Sequence, residues 1–351
     1  MTAAAPTAPA RARGRTVHVV VPAGIDDPRS PSGGNHYDRR VCAALGRDVT
    51  ELPVAGGWPE PGEADLDRLD TALAGVPDGA PVLLDGLVAC AAPMVLDRHA
   101  DRLHLVVLVH LPLGGELGLA PAVAAGRTAR ERATRHRVAA VVTTSGWTAR
   151  RVVAVHGLDT DRVHVARPGA CPAPATADGP AGTRLLAVGA LTPTKGHDLL
   201  VEALADVADL RWSLCLAGPL DRDPGQTALV RERIDRFGLG DRVTLAGPLA
   251  GPDLDDAYAR ADLLVLPSRA ETYGMVVTEA LARAVPVLAC DVGGVAEAVG
   301  GGGILVPPNA LATALRDWLT DPGLRTTVRA AARARLDGWT VTARTIDGVL
   351  R

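Results

Sequence analysis

Lys195 is the single lysine among 351 residues that include 36 arginines, and it lies in Thr192-Pro193-Thr194-Lys195-Gly196-His197, just after the apolar run Leu185 to Val188. A chain that meets its need for positive charge with Arg and keeps one Lys points to a site wanting a compact ammonium, for which a phosphate oxygen is a common partner. The plain alternative is a codon-biased genome with one lysine left over. Further on, the strand-like Leu263-Leu264-Val265-Leu266-Pro267-Ser268 runs into Arg269-Ala270-Glu271-Thr272-Tyr273-Gly274-Met275-Val276-Val277-Thr278-Glu279. Glu271 and Glu279 thus flank a strand-to-helix junction. At ~1.5 Å per residue their separation spans roughly 12 Å along a helix, the scale of a sugar and a ribose on either side of a pyrophosphate. Gly274 lets the backbone come close, and the free N–H groups of Met275 and Val276 at the helix start can meet phosphate oxygens, helped by the helix dipole.

Such residues need a scaffold that delivers strand ends to one place. Short apolar runs recur between helix-like stretches at 17–21, 82–84, 105–109, 139–142 and 163–165, and again at 185–188, 214–217, 243–246, 263–266, 287–289 and 304–306. This alternation predicts two doubly wound parallel sheets of the α/β class, each binding ligands beyond the carboxyl ends of its strands. The expected organisation is a disordered tail 1–15, a first Rossmann-like domain 16–170, a linker 171–182 in a Pro/Ala/Gly stretch, and a second Rossmann-like domain 183–336. A C-terminal helix, 337–351, has packing back on the first domain as one option. Ser30-Pro31-Ser32-Gly33-Gly34-Asn35-His36 follows the first strand and precedes the helix-like Asp38 to Leu45, placing glycine amides at a turn. His110 ends the strand Leu105 to Val109, so its ring should emerge at the ligand edge.

The second half resembles the retaining glycosyltransferases of family 4. Glu271 and Glu279 match the E-x7-E signature, and Val188-Gly189-Ala190-Leu191 through Lys195-Gly196-His197-Asp198 is similar to the family's phosphate-binding stretch. The similarity runs on through Asp262 to Ser268, Gly293-Gly294-Val295-Ala296-Glu297 and Leu305-Val306-Pro307-Pro308, covering most of 183–322. The resemblance implies the GT-B fold, two Rossmann-like domains facing a cleft, with the donor held by the C-terminal domain and the acceptor side by the N-terminal one. It further implies that Lys195 neutralises the leaving diphosphate, Glu271 reaches donor sugar hydroxyls near the reacting carbon, and Glu279 holds ribose hydroxyls. Gly33 and Gly34 would approach the pyrophosphate or acceptor, His110 the donor sugar, Gly189 and Gly274 the phosphates, and Gly247 the base. One departure stands out: Ala190 occupies a position where the family usually carries Arg, with Arg167 and Arg269 as candidate substitutes.

Net charge of −3 and pI near 6.3 give no call for nucleic acid. The basic stretch Arg127 to Arg137 could make weak peripheral contact with phospholipid, but it lacks an apolar face and reads better as a solvated helix. No segment approaches the ~20 apolar residues of a membrane span. Five scattered cysteines and no signal-peptide pattern suggest reduced thiols in a cytoplasm. No His/Asp/Glu group has metal-site spacing, so no metal ligand and no obligatory metal or other cofactor is expected. The reading is transfer of a sugar, with retention, from a UDP-sugar, or second a GDP-mannose donor, to a small polar acceptor. Its rivals are a nucleotide-sugar-binding protein without catalysis, motivated by Ala190, and a same-fold epimerase or phosphorylase. His36 and His197 flank the two phosphate-facing loops as lesser candidates.

Overall fold

The computed structural model describes residues 16–29, 31–171, 173, 182–333 and 336–351. The expected tail 1–15 and most of the expected linker lie outside these. Strands β1 (Val17–Pro22), β2 (Val49–Val54), β3 (Pro81–Asp85), β4 (His104–Val109), β5 (Ala140–Thr143) and β6 (Val163–Val165) form one parallel sheet in the order β2-β1-β3-β4-β5-β6. Strands β7 (Arg184–Val188), β8 (Ser213–Ala217), β9 (Val243–Gly247), β10 (Leu263–Leu266), β11 (Val287–Cys290) and β12 (Gly303–Val306) form the second, ordered β12-β11-β10-β7-β8-β9. The two α/β domains make the GT-B architecture that the resemblance implies.

Every apolar run above becomes a strand, because parallel strands covered on both faces by helices must be apolar throughout. All residues of β3 and β10 are buried. Strand β2 gave no such signal. It sits at a sheet edge with only Val54 buried, so Thr50, Glu51 and Pro53 are tolerated there.

In each sheet the direction of winding reverses once, between β1 and β3 and between β7 and β10. A crevice opens at the carboxyl ends of strands where loops diverge in this way. Those four strand ends lead to Gly34, Asp85, Lys195 and Glu271.

The final helix, Trp339–Val349, packs on the first domain. Trp339 and Ile346 join the core that contains Val17, Tyr37 and Val41, and Thr342 Oγ1 donates to the Arg167 carbonyl at 2.6 Å. Arg47 pairs with Asp347. Four of the five arginines of the basic helix Pro121–Arg137 are paired within the chain: Arg127 with Glu60 and Glu116, Arg130 with Glu60, Arg135 with Glu131 and Arg137 with Asp97. No described helix is long and apolar enough to cross a membrane.

Candidate functional site

The Lys195 loop is built against the end of β10. Gly196 adopts φ 67°, and a Cβ there would lie 2.1 Å from the Pro267 carbonyl oxygen, so only glycine lets the loop press this closely. Gly189, at the end of β7, leaves room for the Lys195 stem, whose Cγ would be 3.5 Å from a Cβ at that position. Arg269 staples the two loops together. Its backbone N–H donates to the Thr194 carbonyl at 2.8 Å and its guanidinium to the Pro193 carbonyl at 2.9 Å. The same guanidinium grips both oxygens of Asp198, at 2.7 and 2.6 Å. Burial would push the Asp198 carboxyl up, but the Arg269 hydrogen bonds and charge, with Arg233 beside it, hold it below the usual range.

The stapled loops bring Lys195 and Glu271 together. Lys195 Nζ donates to Glu271 Oε2 at 2.5 Å, with the Lys side chain 32% and the Glu side chain 11% exposed. Glu271 belongs to the loop, and the helix Met275–Ala282 starts only after Gly274, which takes φ 96° as its N-cap. The estimate of an end-to-end helical span between the two glutamates therefore gives way to one turn of helix plus a folded loop. No side chain caps this helix, so the N–H groups of Met275 and Val276 lack intrahelical partners as first-turn donors do. Glu279 lies one turn along and accepts from the Tyr258 hydroxyl at 2.8 Å. Burial raises its carboxyl, opposed by that hydrogen bond and by the charge of Arg283.

Across the cleft the helix Gly33–Ala44 begins earlier than the pattern suggested. Ser32 caps it, its Oγ accepting from the Asn35 N–H at 3.1 Å, so Gly33 and Gly34 form the helix's first turn instead of a preceding turn. Gly34 leaves room for the His110 ring, which a Cβ would meet at 3.1 Å. His110 Nε2 is 2.8 Å from Asp38 Oδ1 and 3.9 Å from Asp85 Oδ2, and both carboxylates are almost fully buried. Burial alone would push the imidazole down; the charge and hydrogen bond of Asp38, with Asp85 beyond, raise it to about 9. Burial and repulsion from Asp38 in turn raise Asp85.

That cluster was invisible to spacing in the chain. Asp38, Asp85 and His110 are the group of three among the described residues whose ligand atoms lie near enough, within 4.8 Å, to share one cation. A protonated His110 donating to Asp38 accounts for the shortest contact without one. The sign of its titration can be tested. A ring raised to about 9 stabilises the fold fully below the unfolded value of about 6.5 and loses that contribution as pH climbs through 9. The His110 resonance in an NMR titration is expected to move near pH 9, and at a markedly lower pH in Asp38→Asn, where burial is opposed only by Asp85. An unchanged midpoint in that variant would contradict the pairing.

Other candidates take different places. His197 is buried, and burial with the nearby Lys195 charge pushes its ring down to about 4, so it is a neutral ring shielded from the cleft. Gly247 ends β9 at φ 72°, on the same strand-end side as Gly189 but two strands away. The two candidate substitutes for an arginine at Ala190 are both engaged: Arg269 by Asp198, and Arg167 by Glu297 at 3.0 Å. Glu297 itself joins the domains, accepting from the N–H groups of Gly146 and Trp147 at 2.9 and 2.8 Å. Ser145 Oγ, also across the interface, donates to the Thr272 carbonyl at 2.6 Å beside Glu271.

The family described as glycosyl transferases group 1 matches residues 181–335. A D-inositol 3-phosphate glycosyltransferase 1 from Catenulispora acidiphila is 32% identical over 323 residues, 84% of this chain and 73% of that protein. A D-inositol 3-phosphate glycosyltransferase from Kineococcus radiotolerans is 34% identical over 253 residues, 62% of this chain; the match spans 58% of that relative's length. Among solved structures, sucrose-phosphate synthase from Thermosynechococcus elongatus superposes with a TM-score of 0.77 at 21% identity, covering 95% of this chain and 98% of that one. Anabaena HepE in complex with UDP-glucose does so with a TM-score of 0.73 at 18% identity, covering 95% and 99%.

Proposed function

Because the chain belongs to the group 1 glycosyltransferase family, we propose that it moves a sugar from a nucleotide-sugar donor to a small polar acceptor, with retention at the anomeric carbon and no obligatory metal. The observation that carries this reading is Lys195 paired with Glu271 at 2.5 Å beside the uncapped start of the Met275–Ala282 helix, with Glu279 one turn further on. In the reaction the bond between sugar and diphosphate breaks and negative charge collects on the departing phosphate. Lys195 and the N–H groups of Met275 and Val276 stabilise that charge. Glu271, released from Lys195 by the phosphate, accepts from sugar hydroxyls near the reacting carbon. Glu279, the second member of the family 4 glutamate pair, holds the ribose. Gly33 and Gly34 bring the first domain's backbone near, and His110 contributes an N–H donor from the acceptor side.

A UDP-sugar is the favoured donor, in line with Anabaena HepE, which has been solved in complex with UDP and with UDP-glucose; GDP-mannose comes second. For the acceptor, the relatives' name, D-inositol 3-phosphate glycosyltransferase, suggests a phosphorylated polyol. The reaction would take place in the cytoplasm. A second reading, binding of a nucleotide sugar without transfer, is favoured by Ala190 together with the engagement of Arg167 and Arg269 by carboxylates. Release of nucleoside diphosphate from UDP-sugars and GDP-mannose, with and without D-inositol 3-phosphate, separates the two. Acceptor-dependent release supports transfer, and saturable binding with no release supports the second reading. Binding of neither nucleotide sugar would sink both.

The Glu279 assignment has its own test. Tyr258 fixes the carboxylate, so Tyr258→Phe should weaken UDP by about three-fold and Glu279→Gln by about ten-fold, with turnover at saturating donor nearly unchanged. Titration calorimetry beside saturation kinetics reads both quantities. A fall in kcat without loss of affinity would contradict a ribose role.

A further inference from the structure

The helix Gly33–Ala44 carries a cation that this reading leaves unused. Gly33 approaches the Met275 sulfur, which a Cβ would meet at 3.7 Å, and Met275 packs against the core that holds Tyr37 and Val41. With 3.6 residues per turn, Arg40 lies two turns beyond Gly33 on the same face, while Glu279 lies one turn beyond Met275. The contact between the helix starts thus brings Arg40 and Glu279 toward one stretch of the cleft. The Arg40 charge is felt at Glu279, where it joins Tyr258 and Arg283 in opposing the upward push of burial.

Arg40 is also oriented. Its Nε donates to His36 Nε2 at 3.3 Å, and His36 meets Trp339 edge-on with ring centroids 6.2 Å apart. Burial first, and then the neighbouring guanidinium, hold the His36 ring below its ordinary value, which keeps it the neutral acceptor this contact needs. The neighbouring Arg39 is bound to Asp26 and Glu51. Arg40 instead pairs with no carboxylate among the described residues, leaving both terminal nitrogens of its fork for a ligand. On the other side of the cleft Ala190 supplies no charge, and Arg269 is held by Asp198.

We infer that Arg40 is a second phosphate-binding cation of the nucleotide site, reaching from the first domain to the diphosphate held at the start of the Met275–Ala282 helix. A planar fork suits two phosphate oxygens and complements the ammonium of Lys195. The inference rests on the donor reading, and the experiment keeps the two apart. UDP, GDP, uridine and guanosine are titrated into wild type, Arg40→Ala, Arg40→Lys and Lys195→Ala, with ligand-observed NMR for the weaker nucleosides. Arg40→Ala is expected to lose about ten-fold in affinity for the diphosphate and less than about two-fold for the matching nucleoside, with a shallower salt dependence; Arg40→Lys should keep part of the difference. Arg40 is exposed, so an unchanged melting temperature will confirm that the variant folds. Equal losses for diphosphate and nucleoside would mean that Arg40 acts through Glu279 on the ribose, and would overturn the inference. Unchanged UDP and GDP affinity in Arg40→Ala, beside a loss in Lys195→Ala, would overturn it while sparing the donor reading. If wild type binds neither nucleotide, both fall.

Discussion

Lys195→Ala is expected to lower donor turnover by roughly 10²- to 10³-fold, the range seen when one preorganised group facing developing charge is removed. The melting temperature should move by only about 3 °C, because the side chain is partly exposed and its loss leaves a single carboxylate, still touched by solvent, without its partner. Lys195→Arg should restore only part of the rate. The 2.5 Å contact with Glu271 is made by a point charge that a phosphate can draw away, whereas a guanidinium would grip the carboxylate with two parallel hydrogen bonds and resist transfer to the ligand. Its bulk would also press on Gly189, against which the Lys stem rests. Stopped-time assays of nucleoside diphosphate release, beside thermal melts, measure both effects. Wild-type turnover in the Ala variant would remove the phosphate assignment.

Glu271→Gln separates affinity from rate. In the structure the Glu271 carboxylate neutralises Lys195, so a diphosphate must compete with it for the ammonium. Replacing the carboxylate by an amide removes that competitor, and free UDP should bind about two- to five-fold more tightly. Turnover at saturating donor should nevertheless fall by about 10²-fold, since the amide no longer offers the charged acceptor that orients sugar hydroxyls as the sugar–phosphate bond breaks. Calorimetry with UDP and single-turnover kinetics give the two numbers. Weaker UDP binding with unchanged kcat would place Glu271 in ground-state nucleotide binding and reverse the roles given to the two glutamates.

Much of the fold is legible without coordinates. A buried parallel strand has to be apolar along its length, so eleven short runs stand out, while edge strand β2, with Thr50, Glu51 and Pro53, gives no such signal. The Gly33–Ala44 helix starts several residues before its apolar pattern does, because a Gly-Gly pair reads as a turn in sequence while the Ser32 cap starts the helix ahead of it. Tyr258 carries no chain-spacing signal of its own, and only its hydroxyl contact with Glu279 separates it from the other buried aromatics.

The amino-acid sequence by itself determined the α/β alternation, the two glutamates around a strand-to-helix junction, and the lone lysine beside a glycine, because each is a local pattern of polarity, backbone freedom or residue type. Tertiary structure alone decided which charges face each other. Lys195 and Glu271 meet because Gly196 lets one loop lie on Pro267 and Arg269 fastens it through Asp198. His110 meets Asp38 and Asp85 because the ends of β3 and β4 converge on the middle of the Gly33–Ala44 helix, beside the point where the first sheet reverses its winding. The same packing engages Arg167 and Arg269 with carboxylates and leaves Arg40 with no carboxylate partner among the described residues. Spacing along the chain could not show this, because Coulomb energy and hydrogen bonding depend on separation in space, which is set by how the helices close over the two sheets.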